Sequence, residues 1–426
     1  MVDGRRPGSS SRARTAPGPL AGIRVADCST VLAGPLCTML LADLGADVVK
    51  VEPPDGDATR TWGPPWVGAG VRGPDDPGTA AYYLAVNRNK RSIRLDLKAP
   101  DGAAVLRRLL ETADVLVENF RVGGLDRLGF DDATLTAINP ALVHLGISGY
   151  GPKGPWADRP GYDFVLQAEA GLMSITGFAD AERGHPTKVG VAIADVLTGL
   201  FGAIGVLGAL LGRDRAGGPA VGRGQRVDVS ILESALAGLV NQAQNAFVTG
   251  AAPERRGNAH PNIVPYETFA TADREIAVAV GTDRQFVRFC AAMGVAELAV
   301  DPRFATNGAR VANRDALRPI LAARFASASS RTWLRALAEA EIPSGPINDV
   351  LTAFALPQSR ARSMAVTVEH PVLGPIRQVG LPMKLSATPG SIRSAPPLLG
   401  EHSDQILAEL GYDAAAVADL HERGIV

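Results

Sequence analysis

This chain of 426 residues is 46% apolar and 20% charged, so it has ample material for a buried core, and wholesale disorder is excluded. Its 43 basic and 44 acidic residues give a net charge of −1, which offers no electrostatic reason to expect a nucleic acid or a membrane surface as a partner. At this length two domains, or one large domain with a sizeable insertion, are expected.

The amino-terminal segment and the cysteines bear on where the protein works. Residues 1–18 are rich in Arg, Ser, Pro and Gly and lack the apolar stretch of a secretion signal, so they predict a disordered tail. The three cysteines, Cys28, Cys37 and Cys290, have no metal-ligand or redox spacing, and so few thiols are typical of a reducing compartment. The sequence therefore predicts a cytoplasmic protein without a metal site.

The first ordered elements form a strand–helix–strand unit. Residues 22–27 predict a buried strand, and Pro35 lies where the next helix would begin, since its fixed φ and missing N–H cost nothing there. The helix is expected to end at Gly45, before a second strand at residues 47–52. The two strands are expected to be parallel, because the crossover between them is right-handed.

This unit invites a comparison with dinucleotide-binding domains, because Glu52 ends the second strand where a ribose-binding acid would lie. The loop after the first strand, residues 29–35, has a single glycine where the phosphate-binding fingerprint requires three. The loop therefore argues against an NAD-dependent enzyme.

The alternation of helix and strand continues along the chain. A helix is predicted at 103–110 and strands at 114–117 and 142–147, which indicates a doubly wound α/β domain. The Gly-rich stretch 216–224 is a candidate linker. Further strands are predicted at 226–230 and 275–281, and further helices at 284–293, 314–326 and 403–410.

A long apolar run, residues 196–212, follows Asp195. The run is just under the length that spans a membrane, contains five glycines and lacks flanking anchors, so a buried helix is predicted. The structural interpretation of Asp195 is an N-cap, a position where aspartate is favoured. The functional interpretation is a carboxylate that the helix dipole holds ionised and that can attack a carbonyl carbon. Asp163 is open to the same two interpretations.

Together these segments resemble the family III CoA-transferases, the group that includes formyl-CoA transferase, carnitine CoA-transferase and α-methylacyl-CoA racemase. The resemblance extends from Leu20 to Val426 and depends on several motifs in combination. The motifs are VLAGP at 31–35, LGADVVKVEPP at 44–54, GDATR at 56–60, NKRS at 89–92, ADVLVENF at 113–120, PGYD at 160–163, GVAIAD at 190–195, GRGQRVDVS at 222–230 and LGEH at 399–402.

The resemblance implies a Rossmann-like large domain with a parallel sheet and a smaller α+β domain. It also implies a homodimer in which two ring-like chains interlock. The implied organisation is a tail at 1–18, a first part of the large CoA-binding domain at 19–215, a linker at 216–232, a small domain at 233–342, and a carboxyl-terminal segment at 343–426 that returns to the large domain.

For the site, the resemblance implies that Asp195 is the catalytic nucleophile, with Tyr162 and Asp163 as candidate supporting residues. The implied reaction moves CoA from an acyl-CoA thioester to a free carboxylic acid through an aspartyl anhydride and an aspartyl-CoA thioester. CoA and acyl-CoA are then substrates, and no cofactor is permanently bound. The implied CoA-binding residues are Arg60, Lys90, Arg91, Asn119, Phe120 and Arg127.

Two departures from the family's branches argue against racemase activity and formyl-CoA specificity, and one similarity favours dicarboxylic substrates. The racemase branch has a histidine where this chain has Tyr162, and the formyl-CoA branch has a glutamine where it has Leu32. The segment 257–266, with the pattern His-x-x-Ile-Val-Pro-Tyr, is similar to members that use succinyl-CoA and dicarboxylates. Two alternatives stay open: an acyl-CoA racemase or isomerase on the same scaffold, and a non-catalytic CoA-binding partner.

Overall fold

The structure is a computed structural model that describes residues 18–70, 73, 75–218 and 220–426. Apart from Gly18, the tail expected at 1–18 lies outside the described residues. The chain divides into two compact units. The larger unit comprises the described residues up to Ala170 together with Gly190–Val240 and Pro357–Val426, and the smaller unit comprises Gly171–Val189 and Asn241–Leu356.

The larger unit is built on a sheet of six parallel strands. In chain order the strands are β1 (Arg24–Cys28), β2 (Asp47–Glu52), β3 (Lys90–Arg94), β4 (Val115–Glu118), β5 (Val143–Ser148) and β6 (Arg226–Ser230). Their order across the sheet is β3-β2-β1-β4-β5-β6, the order of a doubly wound sheet. This confirms the predicted α/β class with a parallel sheet.

Helices alternate with these strands and continue through both units. The main helices are α1 (Ala33–Asp43), α2 (Pro100–Thr112), α3 (Asp163–Glu169), α4 (Ile193–Asp214), α5 (Ile231–Ala237), α6 (Asp283–Met293), α7 (Arg314–Ala326), α8 (Ser330–Glu339), α9 (Ser403–Glu409) and α10 (Ala414–Glu422). Other helical segments lie at Ala58–Thr61, Ala81–Ala85, Gly124–Arg127, Asp132–Ile138, Leu172–Ile175, Asp180–Glu182, Val240–Thr249, Ala296–Ala299, Asn307–Ala312, Val350–Ala355 and Pro357–Ala361.

Each face of the sheet carries its own core, because successive strand residues point to opposite faces. Val25 and Val48 pack on one face against residues of α1 and α4. Ala26 and Val49 pack on the other face against residues of α2, α9 and α10. The carboxyl-terminal helices therefore complete the core of the larger unit.

Helix α4 differs in detail from the predicted apolar helix. It begins at Ile193 after Ala192, so Asp195 is its third residue, and the prediction that Asp195 is the N-cap was wrong. Of its five glycines, Gly199 allows the closest backbone approach, because a Cβ there would lie 2.7 Å from the carbonyl oxygen of Ala33. By length and composition α4 could cross a membrane, but half of its most apolar stretch is buried in the protein.

The smaller unit has a core of its own around an antiparallel sheet. The strands are β7 (Tyr266–Ala270), β8 (Glu275–Ala279) and β9 (Ser344–Pro346), in the order β9-β8-β7. Buried aromatic side chains from α6, α7 and α8 pack against this sheet. A hairpin of β10 (Ala365–His370) and β11 (Gly374–Val379) belongs to the larger unit, as does a short ladder of Trp66–Val67 with Thr79–Ala80.

The boundaries of the two units differ from the predicted ones. The segment 216–232, expected to be a linker, contains β6, which pairs with β5 along its whole length as the edge of the large sheet. Residues 171–189, expected in the large domain, belong to the smaller unit, and the second boundary falls after Val240. Periodicity identifies a strand or helix, but it does not specify which core the element joins.

Candidate active site

A pocket of about 440 Å³ lies at the carboxyl ends of the central strands of the large sheet. Its wall includes Thr30–Ala33 after β1, Asn119–Val122 after β4, and Asp195 of α4. The neighbours β1 and β4 are the point where the strand order reverses, and doubly wound sheets bind ligands in the crevice at that switch point. The fold therefore places Asp195 where a ligand is expected.

The loop after β1 has a strained conformation, and the side chain of Asn119 holds it. Val31 has φ of 71°, a left-handed conformation that is costly for a β-branched residue and persists only where neighbours enforce it. The side chain of Asn119 accepts a hydrogen bond from the N–H of Thr30 at 2.9 Å and donates one to its carbonyl at 2.8 Å. Asn119, predicted to bind CoA, lines the pocket but uses its amide to hold this loop.

The carboxyl group of Asp195 is buried, with 7% of the residue exposed, and it forms part of the pocket wall. Burial and, secondly, the charge of Asp163 raise the pKa of Asp195 from 3.8 to about 7. The expectation that the helix dipole holds this carboxylate ionised is therefore corrected: desolvation and a like charge outweigh the dipole.

Asp163, the first residue of α3, provides the cap that α4 lacks in its own sequence. Its Oδ1 accepts hydrogen bonds from the N–H groups of Ala194 at 2.8 Å and Asp195 at 3.3 Å. Its Oδ2 accepts one from the Nε2 of Gln167 at 2.7 Å. Sequence reasoning missed Gln167, although its position four residues after Asp163 on a helix is a usable signal.

Three arginines line the pocket, and only Arg127 of these was predicted. Arg159 donates to Glu169 at 2.9 Å, and its guanidinium lies over the rings of Tyr150 and Trp156. Arg121 is the third arginine. The sequence does not show whether a single arginine in a loop lines a pocket or lies on the outer surface. Arg121 and Arg159 were therefore missed.

Phe120, which was predicted to bind CoA, and Tyr162, a candidate supporting residue, also line the pocket. Sequence reasoning missed Tyr82, whose pKa is raised by burial and then by the charges of Asp195 and Asp163. In the described part of the chain, no group of three or more His, Cys, Asp or Glu side chains is arranged to hold a metal ion.

Two of the predicted CoA-binding cations are buried in ion pairs and do not line the pocket. Arg60 forms a bidentate pair with Glu52, at 2.8 Å from Nε to Oε2 and 2.7 Å from Nη2 to Oε1. Lys90 lies 3.0 Å from Asp27 through its Nζ, with both side chains fully buried. Each cation neutralises a carboxylate that the strands of the sheet bury, which is a structural role.

Arg91 lies near the amino end of β3, whereas the pocket lies at the carboxyl ends of the strands. It pairs with Asp47, the first residue of β2, at 2.8 Å, and with Glu409 of α9 at 2.9 Å. The prediction that Arg91 binds CoA is therefore corrected, because its guanidinium joins the amino ends of the strands to a carboxyl-terminal helix.

The chain is similar to known proteins over most of its length. A sequence model described as CoA-transferase family III matches residues 20–403. A succinate–glutarate CoA-transferase of Agrobacterium fabrum is 45% identical over 393 residues, which are 92% of this chain and 96% of that protein. A succinyl-CoA:glutarate CoA-transferase of Homo sapiens is 39% identical over 410 residues, 96% of this chain and 90% of that one.

Solved structures agree with this assignment. The crystal structure of a CaiB/BaiF family protein from Brucella suis superposes with a TM-score of 0.80 at 42% sequence identity, covering 92% of this chain and all of that one. The sequence matches and the similarity of the fold agree with each other, and the chain belongs to family III of the CoA-transferases.

Proposed function

We propose that this CoA-transferase moves CoA between dicarboxylic acids through covalent intermediates on Asp195. The observation that carries the proposal is the buried Asp195 carboxyl group in the wall of the pocket at the switch point of the sheet. The relatives described above carry succinate, succinyl-CoA and glutarate in their names, which supports dicarboxylic substrates.

In the proposed mechanism, a carboxylate oxygen of Asp195 attacks the thioester carbon of the donor, the C–S bond breaks, and CoA leaves as the thiolate. The thiolate then attacks the Asp195 Cγ of the resulting anhydride, and the donor acid leaves as a carboxylate. The acceptor carboxylate attacks the aspartyl-CoA thioester and again releases the thiolate. The thiolate attacks the acceptor acyl carbon, which yields product and regenerates the Asp195 carboxylate.

Each attack places negative charge on a carbonyl oxygen, and the amino end of α1 is suited to stabilise it. This helix has no side-chain cap at Leu32, so its first N–H groups are not used by a capping side chain. Leu32 and Ala33 also line the pocket with Asp195. Backbone N–H groups at a helix start, aided by the helix dipole, are effective oxyanion donors.

The covalent route is tested by trapping. Wild-type protein incubated with succinyl-CoA and hydroxylamine is expected to gain the mass of a hydroxamate, because hydroxylamine attacks an activated aspartyl carbonyl. The Asp195→Ala variant is expected to gain no mass. If the wild-type mass stays unchanged across a panel of acyl-CoA donors, the covalent mechanism is wrong, and uptake of deuterium at the α-carbon of a 2-methylacyl-CoA would then indicate a racemase.

The preference for dicarboxylic acids is proposed to depend on Arg159. Its guanidinium has five N–H donors, and one contact with Glu169 is the only side-chain hydrogen bond that it makes among the described residues. Glu169 and the rings of Tyr150 and Trp156 hold the side chain at the pocket wall, so its remaining donors are available to a second carboxylate.

The Arg159→Met variant is expected to lower kcat/KM for glutarate by about tenfold or more, the usual cost of losing one charged hydrogen bond. A monocarboxylate acceptor of equal chain length serves as the matched control and is expected to change little, because it has no second carboxylate. Steady-state rates with both acceptors at saturating succinyl-CoA measure the difference. An equal fall for the two acceptors would place Arg159 in CoA binding or in folding instead.

A homodimer is also proposed. Helix α4 leaves Leu200, Ile204 and Leu211 exposed on one side, spaced so that they lie along a common strip of the helix. A second copy of the chain would cover this strip, in keeping with the interlocked dimers that the family resemblance implies. Light scattering is expected to give twice the mass of one chain, and a monomer mass, or binding to lipid vesicles, would contradict this proposal.

A further inference from the structure

Two carboxyl groups lie together at the start of α4, and they differ in their hydrogen bonds. Asp163 accepts three, from the backbone N–H groups of Ala194 and Asp195 and from the side chain of Gln167. Gln167 is fully buried. In the part of the chain that the structure describes, no donor forms a hydrogen bond with the Asp195 carboxylate. Of the two carboxylates, Asp163 is thus the one that the surrounding N–H groups hold in place.

Building on the covalent function proposed above, we propose that Asp163 is a positioning residue with an electrostatic role. It caps α4 so that Asp195 faces the pocket, and its fixed negative charge favours the acylated forms of Asp195 over the free carboxylate. Gln167 supports this role by holding the second oxygen of Asp163.

The argument follows from the charge changes of the reaction. The free Asp195 carboxylate is negative and lies beside Asp163, so the two charges repel each other in the resting enzyme. Attack on the donor forms a C–O bond and breaks the C–S bond, and the charge leaves with the CoA thiolate. Asp195 is neutral in both the anhydride and the aspartyl-CoA thioester. Repulsion therefore raises the energy of the resting state and is absent from both intermediates.

The same repulsion acts on protonation, which also neutralises Asp195. Burial is the larger cause of the raised pKa of Asp195, and Asp163 is the second. Among the described residues, the other charged or titratable side chains at this site are Tyr82, whose pKa is raised in part by the charge of Asp195, and those that line the pocket with Asp195. None of them is a principal cause of the raised pKa of Asp195. The wall side chains are Arg121, Arg127, Asp158, Arg159 and Tyr162. Replacing Asp163 by a neutral residue is thus expected to change protonation and acylation together.

The test uses Asp163→Asn, in which the amide oxygen can still cap α4. The pH dependence of kcat/KM gives the pKa of Asp195, which is expected to fall by about 1, the typical effect of removing a neighbouring like charge. Intact mass after acid quenching, at fixed ratios of succinyl-CoA to succinate and above the pKa of both proteins, gives the fraction of aspartyl-CoA thioester. The ratio of aspartyl-CoA thioester to free enzyme is expected to be lower in the variant than in wild type, by about tenfold for each unit by which the pKa of Asp195 falls.

Two further variants make the result specific. Asp163→Ser is a second neutral cap in case the asparagine variant does not fold. Asp413→Asn is the matched control, because the Asp413 side chain also accepts a hydrogen bond from a backbone N–H at the start of a helix, in this case its own helix α10, and Asp413 lies outside the pocket wall. Its replacement is expected to leave both measurements unchanged. A purely structural role of Asp163 would lower stability without moving the pKa or the acylated fraction.

The outcomes separate this inference from the proposed function. If wild-type protein forms the adduct and the neutral variants form it to the same extent with the same pH midpoint, the electrostatic role of Asp163 is wrong and the covalent mechanism stands. If wild-type protein forms no adduct, the covalent mechanism fails first, and the role of Asp163 in acylation fails with it.

Discussion

The Asp195→Asn variant is expected to lose CoA transfer and yet to be more stable than the wild-type protein above about pH 7. The pKa of Asp195 is about 7 in the folded protein and 3.8 at its ordinary value. Between these limits the folded state keeps a proton that the unfolded chain has released, so the contribution of Asp195 to stability falls as the pH rises. The ionised Asp195 carboxylate lowers the free energy of unfolding by up to about 4 kcal/mol, and this full loss of stability is present above the pKa of the folded protein.

Asparagine has nearly the same shape as aspartate and carries no charge at any of these pH values. The gain in stability is therefore expected to be near zero below about pH 4 and to grow until about pH 7. Denaturant unfolding of both proteins at about pH 5 and pH 8 measures it as a difference of free energies. A variant that is less stable than wild type at both pH values would show that the Asp195 carboxylate is held by favourable contacts.

The Arg60→Met variant is expected to lose about 3–5 kcal/mol of stability, the usual cost of leaving one partner of a buried ion pair uncompensated. Arg60 is 6% exposed and Glu52 is 1% exposed, so water cannot replace the lost partner. Arg60 also donates to Tyr83 and to the carbonyl of Pro397, which ties the carboxyl-terminal segment to the sheet. The loss is expected to appear as a lower midpoint of denaturant unfolding.

Arg127→Met is the matched control for this variant. Arg127 lines the pocket and forms no ion pair among the described residues, so its loss is expected to raise KM for succinyl-CoA and to leave the free energy of unfolding within about 0.5 kcal/mol of wild type. The opposite pattern, with a raised KM for succinyl-CoA and unchanged stability in Arg60→Met, would show that Arg60 binds CoA, as the family resemblance implies.

Much of the fold follows from local patterns in the sequence. The strand β2 and the helix α7 begin and end at the residues that periodicity predicts, and the other predicted strands of the large sheet lie within two residues of their observed bounds. These elements are recognisable because apolar spacing and flanking Gly or Pro residues are properties of the local chain. The start of α4 was misplaced because its cap, Asp163, comes from 32 residues before Asp195.

The residues of the site were predictable only in part, because some of their contacts join segments that are distant in the sequence. The GVAIAD motif and the family resemblance single out Asp195, and Phe120, Arg127 and Tyr162 do line its pocket. Lys90 carries the same charge as Arg127 in the sequence, but it is buried against Asp27, 63 residues away. Whether a cation meets a ligand or a carboxylate depends on contacts between distant segments, which motif matching does not supply.

By itself, then, the sequence indicated the α/β class and the bounds of several strands and helices, and it singled out Asp195 as the nucleophile expected of the family, because each of these depends on local periodicity or on a contiguous motif. The tertiary structure alone decided three things: the pairing of Arg60, Lys90 and Arg91 inside the fold, the presence of Arg121 and Arg159 in the pocket, and the raised pKa of Asp195. Burial and the electrostatic effect of neighbouring charges depend on distances in space, and the folded chain sets these distances.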